Sequence, residues 1–138
     1  MPRPMTRVLF LLALGLAMQG PAHADADARA EVRLFVASDE TSWVGEQRDI
    51  NLELWTSDVS FSGQSWVLPD VPGAFLMQLE TGSIKLSENR DGKSWQGLRY
   101  TLSLFPQRSG EISVPAFEVR FSTREGYQSE PMEHRLQT

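Results

Sequence analysis

The chain of 138 residues contains no cysteine. That absence removes disulfide stapling, thiol catalysis and thiolate metal ligation, so the fold has to be held by its core alone. Histidine is almost as scarce, with His23 and His134 the only two. A positive surface is lacking as well: 13 Lys and Arg stand against 18 Asp and Glu, a formal net charge of −5. The basic residues are scattered, and a surface of this sign does not draw nucleic acid or anionic lipid by its field. Long apolar runs are missing apart from Val8 to Met18, which Gly15 interrupts. That run is about half of the ~20 residues needed to cross a bilayer. Helical periodicity is absent throughout.

What is present begins with a leader. Arg3 and Arg7 form a basic n-region, Val8 to Met18 an apolar h-region, and Ala22-His23-Ala24 supplies the small residues that a signal peptidase reads. This order predicts a secretory signal peptide over residues 1–24, cleaved after Ala24, and so an exported, periplasmic protein. With no cysteine after the apolar run, lipid attachment is not expected, and after cleavage no segment spans the membrane. Removal of the leader takes away Arg3 and Arg7 but no acid, leaving 11 basic against 18 acidic residues, or −7. Residues 25–29 read as a disordered leader, residues 30–136 as one domain, and Gln137-Thr138 as a frayed end.

From Ala30 onward the chain alternates with period two. Val32, Leu34 and Val36, then Ile50, Leu52 and Leu54, then Tyr100, Leu102 and Leu104 each mark one buried face of a strand. Turn residues recur about every 10 positions, which points to an antiparallel β-sandwich or barrel. Asn89-Arg90-Asp91-Gly92-Lys93 reads as a hairpin turn with Gly92 at positive φ. Ile112 and Val114 sit on even positions, whereas Phe117, Val119 and Phe121 sit on odd ones. A strand cannot change its buried parity without an extra residue or a crossing, so a bulge or kink is expected at Pro115-Ala116, with a strand that changes sheets as one way to make it.

Chemistry for catalysis is thin. With His23 in the leader, His134 is the one imidazole, placed between Met132 and Leu136 as a strand residue rather than a general base. No G-x-S-x-G elbow occurs. Asp39, Glu40, Glu46 and Asp70 are loop acids, which read as solvated turn residues rather than a glycosidase pair. No calcium-loop or zinc spacing is present, and no cofactor is expected.

The aromatics carry more. Trp55 continues the outward parity of Asn51 and Glu53, while Phe35 and Phe105 also oppose their strands' buried sets. Trp43, Trp66 and Trp95 fall at turns or strand edges. Such residues concentrate at interfaces, so Phe35, Trp43, Trp55, Trp66, Trp95 and Phe105, with Asp70, form the candidate partner-binding set. The same residues permit another reading, a carbohydrate-binding module whose tryptophans stack on sugar rings.

Three motifs, in order, suggest a family. They are Thr41-Ser42-Trp43-Val44-Gly45-Glu46, Leu68-Pro69-Asp70-Val71-Pro72-Gly73, and the stretch from Leu98 through Phe105-Pro106 and Ser109-Gly110 to Val114-Pro115-Ala116-Phe117-Glu118-Val119. Together they resemble the BatD, or oxygen-tolerance, family over most of residues 31–136. The resemblance implies an immunoglobulin-like periplasmic domain without catalytic residues. It also implies work alongside membrane-bound von Willebrand factor A-domain proteins and MoxR-type ATPases. Loop acids such as Asp70 or Asp39 would then be available to complete a partner's divalent metal. The chain departs from the family pattern in carrying one such domain and no anchor.

Overall fold

The computed structural model describes residues 29–138; the expected signal peptide and its cleavage point lie outside the described residues. Eight strands follow one another: β1 (Ala30–Val36), β2 (Arg48–Thr56), β3 (Ser60–Trp66), β4 (Ala74–Met77), β5 (Ile84–Arg90), β6 (Lys93–Pro106), β7 (Glu118–Arg124) and β8 (Met132–Gln137). All their pairings are antiparallel, and no helix occurs among the described residues. The all-β expectation therefore holds.

Two sheets are formed. The larger has the order β1-β2-β6, and the long β6 carries two partners on its other side, β5 along Lys93–Arg99 and β4 along Ser103–Pro106. The smaller has the order β3-β7-β8. Side chains alternate between faces along a strand, and directly opposed residues share a face. Hence Ile50, Leu52 and Leu54 of β2 line up with Leu102 and Leu98 of β6 on one inner face. Val119 and Phe121 of β7 face them from the other sheet, joined by Phe117. These residues make a single core, with Leu52, Leu54, Leu102, Val119 and Phe121 sealed from solvent.

The β5–β6 hairpin turns through Asp91 and Gly92, both at positive φ (52° and 81°), which is the type I′ geometry that matches strand twist. Asn89 Oδ1 accepts from Gly92 N at 3.0 Å and closes it. β3 escaped the sequence reading because its residues are mostly polar and include a glycine, the composition of a turn. Gly63 (φ 65°) instead sits in a β-bulge between Ser62 and Ser65. The extra residue lets Phe61 and Trp66 both face inward despite opposite parity.

The parity change near Pro115 is a crossing. Residues 107–117 belong to no strand, and they carry the chain from β6 in the larger sheet to β7 in the smaller. Ile112 and Val114 stay half-buried against the core on the way. In β1 the inner set is shorter than expected: Val32 and Leu34 pack inward, but Val36 lies half exposed at the end of the strand.

Both chain ends of the described region are tied down. Arg29 O accepts from Ser57 N (3.1 Å) and from Thr56 Oγ1 (2.6 Å), and its guanidinium pairs with Glu125 at 3.1 Å. Gln137 pairs with Glu118, and Thr138 bonds Phe117 through both N (3.1 Å, to O) and Oγ1 (3.2 Å, from N). The end is therefore not frayed: backbone pairing with β7 holds it.

Candidate functional site

At one end of the molecule, beyond the last residues of β1 and β6 and the first of β2, a cleft of about 570 Å³ opens toward the core. Its floor is Ile50, Leu104 and Ile112, its sides are Val36, Pro106 and Val44, and Trp43 stands at the mouth. Arg48 and Arg108 supply its charge, and among the described residues no acidic one lines it.

Local sequence explains the Trp43 turn. Gly45 adopts φ 82°, a left-handed conformation that side chains disfavour. Glu46 N donates to Trp43 O at 3.0 Å, and Trp43 N donates to Glu46 Oε2 at 2.9 Å, so the turn closes on itself. Gly45 N reaches Pro106 O at 2.6 Å and pins the turn to the end of β6. Arg48 donates to Ser38 O at 2.6 Å and also to Glu40 O, which holds the rest of the loop down. The outcome is a tryptophan fixed by its backbone with 82% of its surface in solvent.

The other sequence-predicted residues lie away from this cleft; Phe35 and Trp55 line one shallow groove on the outer face of the larger sheet, and Trp55 and Trp95 share Arg90. Trp55 faces outward as its parity demands, yet it is only 4% exposed. Arg33 and Arg90 each lie 5.3 Å from its ring centroid, and it packs on Gly97, where an added Cβ would sit 2.8 Å from the ring. Its Nε1 donates to Glu53 Oε2 at 2.9 Å, while Arg99 donates to Glu53 Oε1 through Nε (2.9 Å) and Nη2 (2.7 Å). The exposure expected of Trp55 is thus overturned: charged side chains from β1, β5 and β6 roof it. Trp95 lies under the same Arg90, 4.2 Å from the guanidinium, and is half-buried. Trp66 packs against the core margin, meeting Tyr100 edge-on at 4.8 Å between ring centroids, and its half-buried ring also lines a separate shallow groove with Val67, Glu118 and Arg120.

Phe35 is exposed on the outer face of the larger sheet, where Phe105 is half-buried opposite the exposed Phe75. Asp70 is exposed in the loop between β3 and β4. That loop's Val71-Pro72-Gly73-Ala74 turn closes by Ala74 N donating to Val71 O at 3.2 Å, with Gly73 at φ 79°. The seven residues therefore do not make one surface. Only Trp43 lines the cleft; its partners Val36 from the end of β1, Arg48 from the start of β2, and Arg108 and Ile112 from the segment after β6 were not among the sequence candidates because segments distant in the chain bring them together.

His134 sits in a buried polar chain. Its Nε2 lies 2.7 Å from Thr123 Oγ1, which donates to Asp58 Oδ2 at 2.6 Å. A threonine hydroxyl has one proton, and the carboxylate takes it, so the imidazole Nε2–H donates to the hydroxyl. Burial pushes the His134 imidazole below its usual range; Asp58 opposes this and Arg29 adds to it. Thr123 is fully buried and thus closed to a substrate. The chain ties the β2–β3 corner to β7 and β8. Among the described residues no three His, Asp or Glu side chains converge to hold a metal ion. Nor is any helix among them long and apolar enough to cross a membrane.

Comparison of the chain with protein-family models, curated proteins and solved structures finds no match.

Proposed function

We propose that this chain is an exported, non-catalytic adaptor whose immunoglobulin-like sandwich seats a partner protein at the Trp43 cleft. One observation carries the reading: a tryptophan 82% exposed on a turn pinned from both sides, at the mouth of an apolar cleft. A large exposed aromatic on a fixed backbone acts as an anchor, since only its two side-chain torsions remain to be ordered on docking. The two antiparallel sheets around one core, with a chain crossing between them, are compatible with the immunoglobulin-like class. The leader at residues 1–24 supports the periplasm as its place of work. The BatD resemblance supports a membrane-bound von Willebrand factor A-domain protein as the partner.

The cleft favours protein over sugar. The exposed surface of the lining is mainly apolar, supplied by Val36, Val44, Ile50, Leu104, Pro106 and Ile112, which suits the apolar side chains of a protein better than the hydroxyl-covered rings of a sugar.

The test is retention from solubilised envelope by the tagged protein, read by mass spectrometry, beside a Trp43→Ser variant and with or without EDTA. A partner held by the wild-type protein and lost by Trp43→Ser supports the adaptor. Loss on chelation adds a metal-bridged contact through a loop acid such as Asp70 or Asp39. Equal retention by both proteins, or retention of nothing, overturns the assignment.

A further inference from the structure

The charge of the cleft is unlike that of the molecule around it. The protein is acidic overall, yet among the described residues the cleft lining holds two arginines and no carboxylate. Six arginines among the described residues, Arg29, Arg33, Arg90, Arg99, Arg120 and Arg135, lie within salt-bridge distance of an acid. Arg48, Arg108 and Arg124 do not, and two of these three line this one cleft. Arg48 is positioned by the carbonyls of Ser38 and Glu40, and Arg108 Nη1 reaches only Ser109 O at 3.2 Å. Main-chain carbonyls orient a guanidinium without neutralising it, so both keep their charge for a ligand.

The backbone beside them is also free. No residue from 108 to 116 makes a backbone-to-backbone hydrogen bond with any described residue. Along Glu111–Val114 burial alternates as in an extended chain: Ile112 and Val114 pack toward the core, Glu111 and Ser113 face solvent. This segment has the side-chain pattern of a strand and lacks a neighbour. Backbone groups of that kind pair with an added strand, and apolar pockets beside them select its alternate side chains.

Building on the adaptor reading, we propose that the cleft takes an extended peptide segment of the partner in which apolar residues alternate with carboxylates. Its backbone pairs with Gly110–Val114, its apolar side chains enter beside Trp43, Ile112 and Leu104, and its carboxylates meet Arg108 and Arg48. A fatty acid shares the apolar and anionic chemistry but has no main chain to pair with the open segment, which is why a peptide is favoured.

Calorimetric titration of the full-length protein with three probes tests this: a blocked peptide of alternating leucine and glutamate, its leucine–glutamine counterpart, and dodecanoate. The acidic peptide should bind about tenfold or more tightly than the glutamine peptide, the discrimination expected of a charge-assisted hydrogen bond. Arg108→Gln should reduce that preference, Arg48 remaining, while the protein's melting temperature stays unchanged. Amide exchange at Gly110–Val114 should slow in the acidic complex. Equal affinity for the two peptides, no binding of either, unslowed exchange, or dodecanoate binding in their place overturns the acidic-strand proposal. None of those results touches the adaptor itself: Trp43-dependent retention of an envelope protein would still stand beside them.

Discussion

Trp43 and Trp55 differ in what surrounds them more than in what they are. Trp55 lies on an outer sheet face, where two arginines and a glycine enclose its ring, and Glu53 and Arg99 complete the cluster. Trp55→Ala is therefore expected to cost about 3–5 kcal/mol of folding free energy, the range for emptying a packed aromatic site. Trp43→Ser should change stability by less than about 0.5 kcal/mol, because almost nothing packs on the ring. Urea titrations of the two variants measure the contrast directly. Glu53 is buried, so Arg99→Ala leaves its carboxylate short of its charge partner. The expected cost is about 3 kcal/mol, at the low end for a broken buried pair because Arg99 keeps 34% of its side chain in solvent. Leu102→Ala should cost about 2–5 kcal/mol, since Leu102 is sealed between the sheets. A cost under about 0.5 kcal/mol would mean that it does not pack there.

Among the elements, the β5–β6 hairpin was the most legible because its turn is local. Asp91-Gly92 between two alternating segments specifies a type I′ turn whatever the rest of the chain does. Gly92→Ala should cost about 1 kcal/mol or more, through strain at φ 81°, with the loss visible in the chemical denaturation midpoint. β3 shows the opposite case. Its polar, glycine-containing stretch becomes a strand only because β7 offers it a partner along Val119–Arg124, and no local signal encodes that. The crossing at residues 107–117 lies between these extremes. Its parity break and Pro115 pointed to a bulge, a kink or a change of sheet, but not that residues 108–116 would make no backbone-to-backbone hydrogen bond beside a cleft.

Across the whole molecule, acid should weaken the fold in two steps. The folded state holds His134 neutral below the pH at which the unfolded chain, near its ordinary 6.5, binds a proton. Unfolding therefore takes up a proton in that window, and stability falls as pH drops through 6.5 toward the folded value. Glu31 acts lower down. Burial opposes its ionisation, but hydrogen bonds and charge from Arg33 and Arg90 outweigh that and hold its carboxyl below the ordinary 4.5. Its contribution is present above pH 4.5 and is lost as pH falls through the folded value. Denaturation midpoints followed from pH 8 to 3.5 should show both declines. His134→Gln should remove the upper one and leave the lower; an upper decline that survives the substitution would assign it to another group.

Several properties were determined by the sequence alone: the all-β class, the inward sets of β2 and β6, the Asp91-Gly92 hairpin and the parity break before β7. All rest on alternation and turn chemistry, which act between residues close in the chain. Exposure and convergence were decided only by the tertiary structure. Period two places Trp55 on an outer face, but only the packing of β1, β5 and β6 brings the arginines that cover it. Trp43 sits in a turn that glycine and glutamate specify locally, whereas the cleft beneath it exists because β1, β2, β6 and the crossing segment end at the same place. A side chain's face follows from its neighbours in sequence; what lies over that face is set by contacts between strands distant in the chain.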